Sequence, residues 1–171
     1  METERLVLKP PAASDAPALR DYFVRNDARF ARWRVARSHE LDDHVRRIAE
    51  EAETRSGDVT FLAFAEHETD LVAVVVLNGF SVEEPPQAML AYTVDGAYEG
   101  RGYAREAVGR VVQFARDELG LGALSAFYDP ANERSERLLT RLGFEIVRRT
   151  TVVPGFEHLM RAQNVALVRL T

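Results

Sequence analysis

Apolar positions along the chain recur with two periods, and the switches between them mark out elements. Arg5 to Leu8 reads as a short strand stopped by Pro10 and Pro11. Ser14 is placed to cap a helix that carries Leu19, Tyr22 and Phe23. Leu41, Val45, Ile48, Ala49 and Ala52 form a helical stripe, and Ser56-Gly57 ends it. Val59 to Ala65 and Leu71 to Leu77 are β-rich runs separated by the polar "EHETD", the pattern of an antiparallel hairpin. After the turn-rich "NGFSVEEPPQ", Ala88 to Val94 is a further strand. A glycine loop follows, and then Ala104, Ala107, Val108, Val111, Val112, Ala115 and Leu119 trace one face of a helix that ends near Gly120. Ala123 to Tyr128 reads as a strand, and "DPANERS" leads into a helix with Leu138, Leu139 and Leu142. Phe144 to Val153 and Val165 to Leu170 complete the set as strands.

Helices and strands are therefore mixed, with antiparallel hairpins around one strand-loop-helix-strand unit. The expected fold is α/β in the mixed α+β sense. The 171 residues suit one domain over 1–171 and are too few for two ordinary ones. At 46% hydrophobic and 29% charged, the composition is that of a globular chain able to bury a core. A net charge of -5 and a pI of about 5.5 argue against nucleic acid or an anionic membrane as main partner. The absence of cysteine excludes a thiol nucleophile, cysteine-bound zinc and disulfides. Charges interrupt any signal-like apolar segment at the start, and no apolar run is long enough to span a bilayer, so a cytoplasmic location is expected.

The chemistry-bearing stretch is "YEGRGYAREA". Glycine tolerates positive φ and leaves the backbone bare, so the amides of Gly100, Arg101, Gly102, Tyr103 and Ala104 can turn inward at the start of a helix. Orphan donors and the helix dipole favour an anion there, although a lone Gly-x-Gly also serves as an ordinary strand-to-helix turn. Two phosphate motifs are excluded. Arg105 stands where a dinucleotide fingerprint needs a third glycine or alanine, and no Gly-Lys-Ser/Thr follows to make a P-loop.

The segment Glu99-Gly100-Arg101-Gly102-Tyr103-Ala104 resembles motif A of the GCN5-related N-acetyltransferases, Gln/Arg-x-x-Gly-x-Gly/Ala. A second match is "DPANERSERLLTRLGF", in which Asn132, Ser135 and Leu142-Gly143-Phe144 fall at the family's Asn-x-x-Ser and Leu-Gly-Phe. The opening "ERLVLKPPAASDAPAL" is similar to the branch that includes ribosomal-protein alanine N-acetyltransferases. The resemblance implies a mixed, mainly antiparallel sheet of six or seven strands with about four helices. It also implies acetyl-CoA as cosubstrate, its pyrophosphate on the loop amides, and a primary amine as acceptor. Glu99 departs from the pattern, since an acid there repels a pyrophosphate unless its side chain turns to solvent.

The resemblance further implies direct transfer. Backbone near Val94 would polarise the thioester carbonyl. Ser135, or alternatively Tyr128, would protonate the leaving thiolate. As bland alternatives, Asn132 and Ser135 are good helix caps, and Tyr128 suits a core. For the base, the residues offer Glu157 and His158 in "VPGFEHLM", Glu133 and Asp95, each also readable as a solvated surface group. With no obvious strong base, an acceptor of low amine pKa, such as a protein N-terminus, is favoured over lysine. A small amine, an amino acid, an antibiotic, or a silent acyl-CoA-binding domain remain alternatives, and the resemblance admits a homodimer.

Other signals point elsewhere. His39 and His44 are five apart and so do not share a helix face as a zinc pair would, and no metal is expected. Arg29, Arg32, Arg34 and Arg37, interleaved with Phe30 and Trp33, suit a solvated arginine face over a packed aromatic pair. By resemblance the same segment lines the acceptor groove.

Overall fold

The computed structural model describes residues 1–32, 57–65, 70–151 and 163–170. In chain order the elements are β1 (Leu6–Lys9), α1 (Ala16–Arg32), β2 (Val59–Ala65), β3 (Leu71–Ser81), β4 (Gln87–Val94), α2 (Tyr103–Asp117), β5 (Ala123–Tyr128), α3 (Glu133–Arg141), β6 (Glu145–Thr151) and β7 (Gln163–Arg169). The seven strands form one sheet in the order β1-β2-β3-β4-β5-β7-β6, antiparallel at every junction except β4 to β5. The mixed α/β class holds. About four helices were expected and three α-helices lie among the described residues. The stripe from Leu41 to Ala52 falls outside them.

Alternation along β2 sets the two layers. Phe61, Ala63 and Ala65 join the core under α2 and α3, while Leu62 joins Leu19, Tyr22, Phe23 and Phe30 of α1 on the opposite face. In α2 the residues Ala107, Val108, Val111 and Ala115 are wholly buried, each about a turn or less from the next. Burying one such valine contributes about 1.5–3 kcal/mol, so a charge at Val111 would break this contact.

Two local expectations are corrected. Ser14 does not cap α1, because a 3₁₀ turn over Ala13–Asp15 precedes the helix. Asp15 organises that turn, taking a hydrogen bond from Ala12 N at 2.9 Å and pairing with Lys9 Nζ at 2.6 Å. Leu119 does not continue the buried face of α2, because the helix ends at Asp117 and the side chain is exposed.

The parallel junction matters most for the site. Strand β4 pairs with β5 at Gln87, Ala88 and Met89, opposite Ala123, Leu124 and Ser125. Beyond those residues β4 runs on to Val94 and β5 to Tyr128 without further pairing to each other. On its other side β4 stays paired with β3 up to Ala73–Val94. A gap therefore opens along roughly five residues of β4, or ~16 Å at strand rise.

Candidate active site

The glycine loop closes the open end of that gap. At the end of β4, buried Asp95 starts a 3₁₀ turn by accepting from Ala97 N at 2.9 Å, and it is tied to Arg25 of α1. Burial alone would raise its carboxyl, but hydrogen bonds from Ala97 N and Arg25 carry it below the ordinary value. A carboxylate held this way is a poor base, so Asp95 leaves the list of candidates.

Gly100 and Gly102 adopt φ of 71° and 86°, which other residues rarely take, and this lets the chain turn into α2. An added Cβ at Gly100 would meet nothing within 4 Å, so its requirement is conformational rather than steric. Gly102 occupies the N-cap of α2 with no side-chain cap. Among the described residues, the amides of Gly100, Arg101, Gly102, Tyr103 and Ala104 donate to no protein group. Five backbone donors thus lie at one helix start, the chemistry an anionic phosphate needs. The Arg101 guanidinium carbon lies 5.3 Å from the ring centres of both Tyr98 and Tyr103. This cation-π arrangement keeps a positive charge beside the loop.

Glu99 does not turn freely into solvent, as its position required. Its carboxylate is clamped by Arg29 of α1 and Arg134 of α3. Two cations outweigh the one anion, so the loop entrance is not net negative. Neither partner was legible in the sequence as belonging to this residue. Arg29 sits in the arginine-rich segment, and Arg134 lies between Asn132 and Ser135 in the second motif.

That second motif folds as its residue types dictate. Asn132 caps α3 by accepting from Ser135 N at 3.2 Å. The cap holds Ser135 in the first turn, where its Oγ lies 2.7 Å from Tyr92 Oη. Tyr92 belongs to the stretch of β4 that does not pair with β5, and the sequence did not single it out as a candidate. Burial pushes its hydroxyl up to about 12, with the Ser135 contact acting the other way.

Tyr128, at the end of β5, is buried and donates to Glu136 at 2.8 Å. Burial and that carboxylate both raise its hydroxyl above the ordinary value. Glu136 also accepts from Arg149 at 3.0 Å, and its own carboxyl is lowered by Arg149 first and Tyr128 second. The Tyr128 proton is therefore already engaged, while the Tyr92–Ser135 pair has either atom available as donor. Glu133 is exposed and pairs with Arg137 one turn on, as a surface group does. Glu157 and His158, like His39 and His44, lie outside the described residues. Val94 ends β4 opposite Ala73, at the top of the gap where a backbone contact to a carbonyl was expected.

No helix among the described residues is long and apolar enough to cross a membrane. No group of three or more metal-ligating side chains occurs among them either.

Comparison with known proteins follows the same lines. The chain is 25% identical over 150 residues to the ribosomal protein uS5-alanine N-acetyltransferase of Escherichia coli K12, covering 85% of this chain and 77% of that one. Its fold matches the crystal structure of a ribosomal-protein-S5-alanine acetyltransferase from Vibrio fischeri, with a TM-score of 0.83 and 21% identity over 99% of this chain and 96% of that one. It also matches a ribosomal L7/L12 α-N-protein acetyltransferase in complex with coenzyme A, with a TM-score of 0.80 and 15% identity over 98% of this chain and 96% of that one. The profile of the acetyltransferase (GNAT) domain matches residues 5–145. The chain belongs to the GNAT acetyltransferase family, and it is an N-acetyltransferase whose acetyl donor is acetyl-CoA.

Proposed function

We propose that the acceptor is the α-amino group of a protein or peptide N-terminus, acetylated by one domain spanning 1–171 in the cytoplasm. The observation that carries this is the state of the carboxylates around the gap. Asp95 is tied to Arg25, Glu99 to Arg29 and Arg134, and Glu136 to Arg149 and Tyr128. Among the described residues, none of these three is free to act as a strong base.

An acceptor must then arrive partly neutral. At pH 7 an α-amino group with pKa about 7.8 is neutral roughly one time in ten, a lysine about once in a few thousand. The difference is about 3.5 kcal/mol, and among the described residues none of these three carboxylates is free to offset it. Likeness to the alanine N-acetyltransferase of E. coli supports the same reading.

Acetyl-CoA supplies an acetyl thioester whose carbonyl a neutral amine can attack. In this reading the amides of Gly100 to Ala104 hold its pyrophosphate, and Glu99 stands behind them neutralised. Backbone near Val94 polarises the carbonyl. As the C–N bond forms and the C–S bond breaks, Ser135, capped by Asn132 and hydrogen-bonded to Tyr92, delivers a proton to the leaving sulfur. The proton shed by the amine passes to water and restores the hydroxyl. Tyr128 serves structure by holding Glu136.

Release of free CoA thiol tests the acceptor class. Matched peptides are offered with a free N-terminus, with that terminus blocked and a lysine free, and alongside small polyamines. Turnover only with the free N-terminus is expected. Faster turnover of the blocked lysine peptide or of the polyamines would refute the proposal. The homodimer that the resemblance admits is decided separately, by the mass in solution from light scattering.

A further inference from the structure

The segment before β1 is tied through Glu106 to the start of α2. Thr3 Oγ1 donates to Glu106 Oε1 at 2.5 Å, and Arg5 N donates to the same oxygen at 2.8 Å. Arg5 Nε reaches Glu106 Oε2 at 2.8 Å and Nη2 reaches it at 2.6 Å, a two-point pairing of guanidinium and carboxylate. The same guanidinium lies over the Tyr103 ring, 4.4 Å from its centre. Glu106 stands in the first turn of α2, so these bonds fix Arg5 to the start of that helix.

One bond remains, and it goes into the loop. Arg5 Nη1 donates to the carbonyl oxygen of Arg101 at 2.9 Å. That carbonyl shares a peptide plane with the N–H of Gly102. In a trans peptide the two point in opposite directions, so a carbonyl held toward Arg5 aims the Gly102 N–H away from it. The hydrogen bond also polarises the peptide and strengthens its N–H as a donor. Gly102 is the residue most able to turn otherwise, since glycine takes many conformations at little cost. Arg5 underlies it closely, for a Cβ added at Gly102 would come within 3.2 Å of Arg5 Nη2.

We infer that Arg5 is a positioning residue for the phosphate-binding loop, braced by Thr3 and Glu106, and that it aims the Gly102 amide at the pyrophosphate. The inference rests on the loop reading given above. Arg5 acts through the loop and is not itself a catalytic residue. Its effect belongs to the phosphate-bearing part of the donor and not to the acetyl arm.

Two donors separate these parts: acetyl-CoA, and acetyl-pantetheine, which carries the thioester arm without phosphate. In Arg5→Ala the KM for acetyl-CoA is expected to rise about tenfold, the scale of one lost charge-assisted hydrogen bond, with kcat kept within about twofold. With acetyl-pantetheine, kcat/KM is expected to match that of the unaltered protein. Arg5→Lys guards against misfolding, because one ammonium can keep the Glu106 pair but not the fork that reaches both Glu106 and Arg101. It is expected to keep the melting temperature and show the same selective loss. An equal loss with both donors, or no loss with either, overturns the inference. If the unaltered protein used both donors equally well, the loop reading itself would fail instead.

Discussion

Tyr92 Oη and Ser135 Oγ lie 2.7 Å apart, joining the stretch of β4 that has parted from β5 to the first turn of α3. Two hydroxyls from different elements thus meet where the sheet opens. The Asn132 cap holds the backbone N–H of Ser135, and Tyr92 is the group that orients its hydroxyl.

Removal of the Ser135 hydroxyl is expected to lower kcat by about 10²-fold, the lower range for a lost proton donor. Tyr92→Phe should cost less, about tenfold, because water can re-orient Ser135. The double variant should be little worse than Ser135→Ala alone, since groups acting as a unit are not additive. Steady-state kcat at saturating acetyl-CoA measures all three, and fully additive losses would separate Tyr92 from Ser135. Burial pushes the Tyr92 hydroxyl up to about 12, so its ionisation should leave no alkaline fall in kcat between pH 7 and 10.

Asp95 sets an acid limit on stability. Its folded carboxyl lies below the ordinary 3.8, so the stabilisation it gives is complete above that pH. As pH falls through the lowered value, the carboxylate takes up a proton and the contribution disappears. Asp95→Asn should destabilise by about 2 kcal/mol at neutral pH, given the partly exposed arginine partner. The gap from the unaltered protein should start to narrow below pH 3.8 and close as pH falls through the lowered value. Chemical denaturation across a pH series from 7 to about 2 follows the narrowing.

Glu99 looks like a defect in the pyrophosphate motif, and its partners argue otherwise. Glu99→Arg restores a residue the family commonly uses there, but it sets three arginines together and breaks both ion pairs. A cost of about 1 kcal/mol in stability is expected, with a melting temperature lower by about 2–4 °C. Affinity for acetyl-CoA should not improve. Calorimetric titration together with a thermal scan reads both quantities, and tighter binding would show that Glu99 repels the cofactor after all.

Local signals carried most of the fold and the cofactor loop. Glycines at 100 and 102, a polar cap at Asn132 and apolar spacing in α2 act over a few residues, so their pattern is visible in the chain. Contacts set by sheet register were not visible. Tyr92 read only as a strand residue, because its meeting with Ser135 depends on where β4 and β5 part. Arg29 and Glu99 are 70 positions apart, and their pairing follows from α1 packing beside the end of β4. Even close range misled at Ser14, where the neighbouring Asp15 wins the turn through Lys9 and Ala12.

A crystal structure with coenzyme A bound decides where the pyrophosphate sits. Its oxygens are expected within hydrogen-bond range, about 2.7–3.2 Å, of amides in the run Gly100 to Ala104, with that of Gly102 among them. The cofactor sulfur is expected in the gap between β4 and β5, beside Ser135. A pyrophosphate held elsewhere, with the loop amides still without an anionic partner, would contradict this placement.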